Sequence, residues 1–355
     1  MVALRERFGT LSLLELGANE NPYGPSPSVV PAILSSLESL HRYPDPRGAA
    51  LKQALAIHHR VDVDQILLGN GSHELLMQFS QAFAGPDTDV VAAQFGFAVY
   101  TLACQAVGAN LRIAAAYPPG HLMPRGHDLD EIARSVTAAT RLVYLANPNN
   151  PTGTWFERDL LERFLQGLPS TALVVVDEAY AEYVTTETSL SAVPLLARYP
   201  NLIVTGTFSK CYGLATLRVG YALADPAVVS VMERLRESFN VNSLGLAAAT
   251  VALADQAHVV MVRERNAMQR TRLAEEIRQR GYPVHPSQAN FLLVEFGSRA
   301  AAIECALCEH GVVPRPVAGY GLPDCLRITV GTSDQNGRLI GLLDDLTERP
   351  NLGPV

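Results

Sequence analysis

Five side chains in two short segments supply complementary chemistry. Lys210 offers an amine that could form an imine with an aldehyde, and Asp177 offers a carboxylate that could keep a ring nitrogen protonated. The hydroxyls of Thr207 and Ser209 and the guanidinium of Arg218 suit a phosphate dianion. Each motif alone is weak, because most lysines are solvated and an aspartate after a strand is commonly a helix cap. Together, and in this order, they predict a pyridoxal-phosphate site.

Lys210, Asp177 and Tyr180 are predicted to be the catalytic residues. The Lys210 amine would form a Schiff base with the cofactor aldehyde and, once the substrate amine displaces it, would carry a proton between substrate and cofactor carbons. Asp177 would keep the ring nitrogen protonated, so that the ring withdraws electrons from the bond that breaks at the substrate α-carbon. Tyr180, three residues on, would donate a hydrogen bond to the phenolic oxygen of the cofactor.

Asn150 and Tyr100 are further candidates for contacts with the cofactor ring. Asn150 lies in residues 147–153, where two prolines and a glycine make a rigid turn that can aim an amide at the ring oxygen. Tyr100 follows a predicted strand, and its ring could stack on the cofactor. Core packing is the alternative for Tyr100, and the sequence leaves both open.

A glycine-rich stretch at residues 69–74 precedes a predicted helix of residues 75–84. Glycines followed by a helix N-terminus present unpaired backbone N–H groups, which suit an anion. Gly71, Ser72 and His73 are therefore predicted to form the second half of the phosphate cup. An ordinary loop with a helix cap would have a similar sequence, so this prediction depends on the residues described above.

Two arginines in the C-terminal third are predicted to bind substrate anions. Arg327 begins the apolar run of residues 327–330, and an arginine that leads a strand invites a carboxylate or a phosphate. Arg315, between two prolines, is the second candidate. A solvated surface arginine is the alternative in both cases.

Short apolar runs alternate with helical patterns through the middle of the chain, which predicts an α/β fold with a mostly parallel sheet flanked by helices. The predicted strands are residues 90–93, 142–146, 173–176 and 202–205. After about residue 246 the pattern changes to that of a smaller α+β part. We expect a large cofactor-binding domain over residues 40–245 and a small domain formed by residues 1–39 and 246–355. The motifs cluster at strand ends, where open α/β sheets bind ligands.

The composition argues against several other classes of protein. The net charge of −7 without a basic stripe argues against nucleic-acid binding. The most apolar stretch, residues 244–262, contains polar residues at 255, 256 and 258, which favours a packed helix over a membrane span. Five widely spaced cysteines indicate a reducing cytosol. Cys305 and Cys308 have metal-ligand spacing but no second pair, so we expect no metal site.

These motifs, in this order, resemble those of the fold-type I pyridoxal-phosphate aminotransferases, and within them the histidinol-phosphate aminotransferases. The matching segments are residues 19–27, 42–46, 69–72, 147–153, 177–180, 207–218, 289–291, 321–323 and 326–332. They span nearly the whole chain. The resemblance implies a fold-type I architecture, pyridoxal phosphate as cofactor, and ping-pong transfer between a small-molecule amino donor and a 2-oxo acid, as in cytoplasmic histidine biosynthesis.

The resemblance also implies a homodimer with active sites at the subunit interface. Tyr43 would reach across to the neighbour's cofactor phosphate. Arg327 would hold the α-carboxylate of glutamate in one half-reaction and the phosphate of histidinol phosphate in the other. Asn21 and Asn290, which lie in two of the matching segments, would contact the substrate.

Three residues depart from the family pattern near the predicted pocket. His73 stands where aspartate is usual, Phe95 where proline is frequent, and Thr216 where glycine or alanine is common. These departures leave the cofactor prediction intact and the substrate open. An aromatic amino-acid aminotransferase and a decarboxylase of an amino-acid phosphate, similar to threonine-phosphate decarboxylase, are the alternatives. A non-catalytic regulator would carry a DNA-binding module ahead of the matching segments, which begin near residue 19.

Overall fold

The computed structural model describes residues 13–347, so the predicted domain ranges extend outside it at residues 1–12 and 348–355. The strands are β1 (Leu14–Glu15), β2 (Ile66–Gly69), β3 (Asp89–Ala93), β4 (Asn110–Ala114), β5 (Thr140–Ala146), β6 (Leu173–Asp177), β7 (Leu202–Thr207), β8 (Gly220–Leu223), β9 (Phe291–Glu295), β10 (Val312–Val313), β11 (Arg315–Pro316) and β12 (Cys325–Thr329). The helices are α1 (Val29–Ser36), α2 (Ala49–His59), α3 (Ser72–Phe83), α4 (Ala98–Ala106), α5 (Leu129–Ser135), α6 (Arg158–Gln166), α7 (Pro226–Leu235), α8 (Ser243–Ala254), α9 (Gln256–Gln279), α10 (Ala300–Glu309) and α11 (Ser333–Thr347).

Seven strands form the central sheet in the order β2-β8-β7-β6-β5-β3-β4. β8 is antiparallel to β2 and to β7, and the other strands of the sheet run parallel to one another. The four predicted strands lie within β3, β5, β6 and β7, so the predicted α/β class with a mostly parallel sheet is confirmed. β4 was not predicted, because it is an edge strand with exposed residues and its sequence lacks a continuous apolar run.

Alternate residues of the central strands enter separate apolar cores on the two faces of the sheet. Leu145 and Val176 pack on the face covered by α6, whereas Tyr144, Val175 and Ile203 pack on the face covered by α3. This is why these strands read as continuous apolar runs, since successive side chains point to opposite and equally buried faces. Each buried valine or leucine stabilises the fold by about 1.5–3 kcal/mol, which makes the sheet a firm base for the loops at its carboxyl ends.

The C-terminal part builds a second, smaller core. β9, β12 and β11 form an antiparallel sheet, and β1 pairs with β10 in parallel. Leu292, Val294 and Ile328 from this sheet pack with Ile303 of α10 and Leu339 of α11. The pairing of β1 with β10 joins the N-terminal segment to this part, in the manner the predicted small domain requires. The division at residues 39 and 245 remains a prediction.

The apolar stretch around residue 255 forms two helices, α8 and α9, where one packed helix was expected. Asp255 ends the first and caps the second, because its Oδ1 accepts from the backbone N–H of His258 over 3.1 Å. Within residues 13–347, a single helix long and apolar enough to cross a membrane is absent. This pair passes such a test only together, and the two helices are bent by 78°.

Candidate active site

A cleft of about 350 Å³ contains the last residues of β5, β6 and β7, which are Ala146, Asp177 and Thr207. Residues 17–19, which precede α1, and Tyr320 also line it. The predicted site residues that line the cleft are Ser72, His73, Asn150, Asp177, Tyr180, Thr207, Ser209, Lys210, Arg218, Arg315 and Arg327. Residues far apart in the sequence are thus brought together where parallel strands end, as open α/β sheets do.

Lys210 lies in the loop that follows β7, with its side chain in the cleft. Its Nζ donates to the carbonyl of Ala18 over 3.2 Å and lies 5.8 Å from the ring centroid of Tyr180. Burial, together with the nearby cations Arg327 and Arg218, lowers the pKa of Lys210 to about 8. A large share of the amine is therefore neutral at slightly alkaline pH, which is the form that attacks an aldehyde.

The sequence contains one other lysine, Lys52 on α2. Its Nζ lies 2.8 Å from Oε1 of Glu233, with which it forms an ion pair. Lys52 does not line the cleft. Lys210 is therefore the lysine that is placed and tuned to act as a nucleophile.

Asp177 is buried at the end of β6, with 5% of its surface exposed. Its Oδ1 accepts from the Thr205 hydroxyl over 3.1 Å, and its Oδ2 accepts from the Tyr100 hydroxyl over 3.2 Å. Burial raises the pKa of Asp177 to about 6, although these hydrogen bonds act in the opposite direction. A carboxylate in such surroundings is stabilised by a cation beside it, such as a protonated ring nitrogen.

The predicted phosphate cup forms where the start of α3 meets the loop after β7. Arg218 Nη1 donates to Oγ of Ser209 over 3.2 Å, and the Ser209 backbone N–H donates to Oγ1 of Thr207 over 3.2 Å. Gly71 precedes Ser72, the first residue of α3, with φ of +79°. The positive φ favours glycine, and a Cβ at Gly71 would lie 2.3 Å from Nη2 of Arg218 and displace the guanidinium. Hydroxyls, a guanidinium and a helix N-terminus thus surround a space that suits a phosphate.

The pairing of β7 with β8 explains why this loop carries so many site residues. Thr207 is paired with Gly220 in antiparallel register, so residues 208–219 leave the sheet and return to it at the same place. Arg218 has φ of +54°, a left-handed conformation, as the chain re-enters the sheet. Lys210 and Arg218 are therefore held on one loop whose two ends are fixed side by side.

Arg327 is buried on β12, with its side chain in the cleft. Its Nη1 donates to Oδ1 of Asn150 over 2.5 Å, and its Nη2 donates to the carbonyl of Gly17 over 2.6 Å. The guanidinium also lies 5.3 Å from the ring centroid of Phe291. Its hydrogen bonds within residues 13–347 are thus to neutral acceptors, and burial lowers the pKa of Arg327. A buried guanidinium of this kind is suited to receive a substrate anion.

Tyr180 lines the cleft between Asp177 and the segment that precedes α1. Its hydroxyl oxygen accepts from Nδ2 of Asn19 over 2.9 Å, and burial raises the pKa of Tyr180 to about 12. The hydroxyl therefore stays protonated and can donate its proton in a hydrogen bond. Sequence reasoning missed Asn19, which has φ of +56°. The indication in the sequence was that position 19 is an asparagine, a residue that adopts the left-handed conformation more readily than most.

Of the two possibilities for Tyr100, the structure shows packing in the core. Its ring is buried in parallel stacking on Tyr144, with centroids 4.9 Å apart, and its hydroxyl reaches Asp177 instead. Phe97, three residues earlier, lines the cleft. Phe97 precedes the first turn of α4, whereas Tyr100 lies within that turn and points into the core. The start of the helix therefore decides which of the two aromatic rings faces the ligand.

Besides Tyr100 and Gly71, three predicted residues lie outside the cleft lining. Asn21 Nδ2 donates to the carbonyl of Cys211 over 2.8 Å, and Asn290 Nδ2 donates to the carbonyl of Asn19 over 3.1 Å. Asn21 and Asn290 therefore fix the segment that borders the cleft, and their contact with substrate stays a prediction. Tyr43 is 81% exposed and stacks on Phe239, with ring centroids 4.6 Å apart. It does not line the cleft of its own chain, so its predicted role needs a second subunit.

Comparisons with known proteins identify the family of this chain. Residues 12–343 match the family described as aminotransferase class I and II. The chain is 44% identical to histidinol-phosphate aminotransferase 2 of Pseudomonas fluorescens (strain Pf0-1), over 95% of this chain and 90% of that protein. It superposes with a TM-score of 0.90 and 33% identity on histidinol-phosphate aminotransferase from Sinorhizobium meliloti in complex with pyridoxal-5'-phosphate, covering 98% of this chain and 94% of that one. L-threonine-O-3-phosphate decarboxylase from Porphyromonas gingivalis superposes with a TM-score of 0.80 and 25% identity, covering 95% of this chain and all of that one.

Proposed function

The chain belongs to the class I and II aminotransferase family, and we propose that it transfers the amino group between histidinol phosphate and the glutamate/2-oxoglutarate pair with pyridoxal phosphate as cofactor. The observation that carries the proposal is a single cleft that contains Lys210, Asp177, the phosphate cup and the buried Arg327. The 44% identity to a histidinol-phosphate aminotransferase over most of both chains supports the choice of substrate.

The residues of the cleft fit the proposed cofactor. Gly71 lets the Arg218 guanidinium lie against the backbone at the start of α3, beside the hydroxyls of Ser72 and Ser209. Asn150 uses its Oδ1 for Arg327, and within residues 13–347 its Nδ2 makes no hydrogen bond, so an N–H remains for a ring oxygen. When bound, pyridoxal phosphate supplies an aldehyde carbon and an electron-withdrawing ring.

Lys210 and Asp177 have complementary tasks in the proposed reaction. Lys210 Nζ, with its lowered pKa, can attack as a free amine and can then hold or release a proton beside the substrate α-carbon. The Asp177 carboxylate would hold the ring nitrogen in its protonated form, and the hydrogen bonds from Thr205 and Tyr100 fix the orientation of that carboxylate. Tyr180 keeps its hydroxyl proton and is steadied by Asn19, which leaves it able to donate to a ring oxygen.

Arg327 and Arg315 are the groups that we assign to the substrate anions. Arg327 is buried and Arg315 is exposed, and both line the cleft. A guanidinium accepts either a carboxylate or a phosphate in a bidentate way, so one site can serve glutamate in one half-reaction and a phosphorylated amine in the other. This double use suits a ping-pong exchange, in which the two substrates occupy the same site in turn.

The proposal is tested by mixing the holoenzyme with glutamate and following the absorbance of the bound cofactor. We expect conversion from the aldehyde form to the amine form, and reversal by 2-oxoglutarate. A panel of amino donors that contains histidinol phosphate and the aromatic amino acids then identifies the second substrate. No conversion with any donor would refute transamination. Carbon dioxide released from an amino-acid phosphate without a 2-oxo acid would favour the decarboxylase, a possibility supported by the 0.80 TM-score noted above.

Lys210→Ala and Lys52→Ala form a matched pair for the same experiment. The proposal requires Lys210→Ala to lose the covalently attached cofactor and nearly all turnover, because no other lysine lies in the cleft. Lys52→Ala should keep both, since it removes only an ion pair with Glu233. Turnover retained by Lys210→Ala would contradict the assigned role.

A homodimer is part of the proposal. One face of α1 and of the 3₁₀ turn that follows it, Leu37–Ser39, exposes the apolar side chains of Val30, Leu34 and Leu37. Leu40 and Tyr43, which follow in the chain, are also exposed. A second copy of this chain would bury this face and would bring Tyr43 to the other cleft. Leu34→Glu should give monomers in sedimentation, whereas Ile57→Glu, at an exposed position of α2, should not. Monomeric wild-type protein at micromolar concentration would refute this part.

We also propose a cytosolic location. It is supported by the five cysteines, whose number and spacing do not suggest disulfide pairs. Localisation of a fluorescent fusion to another compartment would refute it.

A further inference from the structure

Arg125, in the connection between β4 and α5, contacts three side chains and does not line the cleft. Its Nη1 lies 2.5 Å from Oε1 of Glu295, 2.8 Å from Nε2 of His285 and 3.6 Å from Sγ of Cys325. Its backbone has φ of +60°, a left-handed conformation that arginine adopts at a cost. At this position, one guanidinium nitrogen contacts three groups from the C-terminal part of the chain.

The connection that carries Arg125 is anchored to the central sheet. Nε2 of His127 accepts from the backbone N–H of Ala146, the last residue of β5, over 3.1 Å. Ala116 and His127 form a bridge, and the Arg125 N–H donates to the carbonyl of Tyr117 over 2.9 Å. Burial lowers the pKa of His127 to about 4, so the ring is neutral and keeps the lone pair that this bond needs. The position of Arg125 is thus fixed relative to the floor of the cleft.

The partners of Arg125 belong to the small sheet that carries Arg327. Glu295 on β9 pairs with Cys325 on β12, and Leu293 pairs with Arg327 two residues further along. Two residues along a strand point to the same face, roughly 7 Å apart. Arg125 therefore contacts the same face of the sheet as Arg327, at the neighbouring pair.

Apolar contacts surround this junction. Phe95, which follows β3 of the central sheet, packs with Leu293, Val317 and Cys325. The side chains of Arg125 and Glu295 are 17% and 32% exposed, so their ion pair is partly shielded from solvent. The junction thus has a charged contact beside an apolar one.

We propose that Arg125 is a positioning residue for Arg327. It fastens the small sheet to the end of β5 and thereby holds the Arg327 guanidinium at the place where the substrate anion binds. The inference rests on the proposed function, since Arg327 is there the anion-binding group. It deepens that function because it adds a determinant of substrate affinity that touches neither substrate nor cofactor.

The test uses the holoenzyme and glutarate, a dicarboxylate that lacks the amino group and cannot react. Calorimetry gives its dissociation constant, and single-turnover absorbance with glutamate separates apparent affinity from maximal rate. Arg125→Met should raise the glutarate dissociation constant about 2- to 30-fold, with a much smaller change in the maximal rate. Arg125→Lys, which keeps a cation for Glu295, should recover part of the affinity.

Arg134→Met is the matched control, since it removes the same charge from an exposed arginine on α5 that is paired with Glu131. Its glutarate affinity should equal that of the wild type. A folded Arg125→Met variant with wild-type glutarate affinity would overturn the proposal. So would equal losses in Arg125→Met and Arg134→Met, because charge alone would then explain them.

Glu295→Gln provides a second route if Arg125→Met does not fold. The amide keeps an oxygen that can accept from Arg125 and loses the charge, so the glutarate dissociation constant should rise by a smaller factor. An unchanged constant would overturn the proposal. A wild-type enzyme that binds glutarate but transfers no amino group would refute the proposed function. The glutarate dissociation constants of the Arg125 variants would still test the positioning role.

Discussion

Nη1 of Arg327 donates to Oδ1 of Asn150 over 2.5 Å, and this bond joins the residue assigned to the substrate to a residue assigned to the cofactor. Arg327 lies on β12 of the small sheet, and Asn150 lies in the turn after β5 of the central sheet. The bond fixes the amide orientation, since an oxygen that accepts from arginine leaves the NH₂ group pointing away from it. Substrate affinity and cofactor orientation therefore depend on a shared hydrogen bond.

Asn150→Asp is expected to weaken the binding of glutamate. The new carboxylate would pair with Arg327 and compete with the substrate carboxylate, and it would have no N–H for the cofactor. The KM for glutamate should rise roughly 10- to 100-fold, as expected when a hydrogen bond to a charged group is altered. Steady-state kinetics measure this change. Asn110→Asp, the same substitution on the exposed strand β4, should leave the KM unchanged.

The rate at which the empty protein takes up its cofactor should rise with pH. Lys210 must attack as a neutral amine, and its pKa lies at about 8, so the reactive fraction grows between pH 6.5 and pH 9. Stopped-flow absorbance after mixing with pyridoxal phosphate measures the rate. An unshifted lysine would keep gaining reactivity up to its usual value near 10.4, so a profile that still rises steeply above pH 9 would contradict the lowered pKa.

Glu182→Gln is expected to stabilise the protein at alkaline pH. Oε2 of Glu182 is buried without a hydrogen-bond partner among the described residues, and burial raises the pKa of Glu182 to about 8. The folded state thus binds a proton that the unfolded state releases near pH 4, so this group's contribution to stability is lost as the pH rises towards 8.

At pH 8 to 9 the Glu182→Gln variant should gain about 1–3 kcal/mol in the free energy of unfolding, and the fall in stability with pH should become shallower. Denaturant titrations at several pH values measure both. Glu187→Gln, at an exposed position ten residues after Asp177, should show neither effect. A steeper fall with pH in Glu182→Gln would show that the sign of the argument is wrong.

Phe97→Leu is expected to weaken cofactor binding about 2- to 10-fold, because an aromatic contact with the ring is lost while an apolar side chain is kept. Tyr100→Phe should keep the stacking on Tyr144 and lose only the hydrogen bond to Asp177. The dissociation constant of the cofactor, measured by absorbance after dilution, distinguishes the two. Unchanged cofactor affinity in Phe97→Leu would contradict the contact assigned to Phe97.

The sequence alone predicted the features that depend on short-range patterns. Asp177 closes an apolar run, and Lys210 follows another, so their meeting at the carboxyl edge of a parallel sheet could be foreseen. The contacts of Asn19 with Tyr180 and of Arg125 with Glu295 could not, because each joins residues more than 150 positions apart. The spacing of residues along the sequence does not predict these contacts, which depend on the tertiary packing of the chain.

Phe97 and Tyr100 show a different limit. Both are aromatic, three residues apart, at the start of a helix, and the sequence does not state at which residue the helical turn begins. A shift of one residue rotates a helical side chain by about 100°, enough to exchange the ring that faces the ligand for the ring that faces the core.

The loop of residues 208–219 has a mechanical consequence for the proposed enzyme. It bears both Lys210 and Arg218, and the pairing of Thr207 with Gly220 clamps its ends together. When the sheet fluctuates, Lys210, which would bind the coenzyme covalently, and Arg218, which would bind its phosphate, would move together. The distance between Nζ of Lys210 and the coenzyme carbon that it attacks would then change little when other parts of the molecule move.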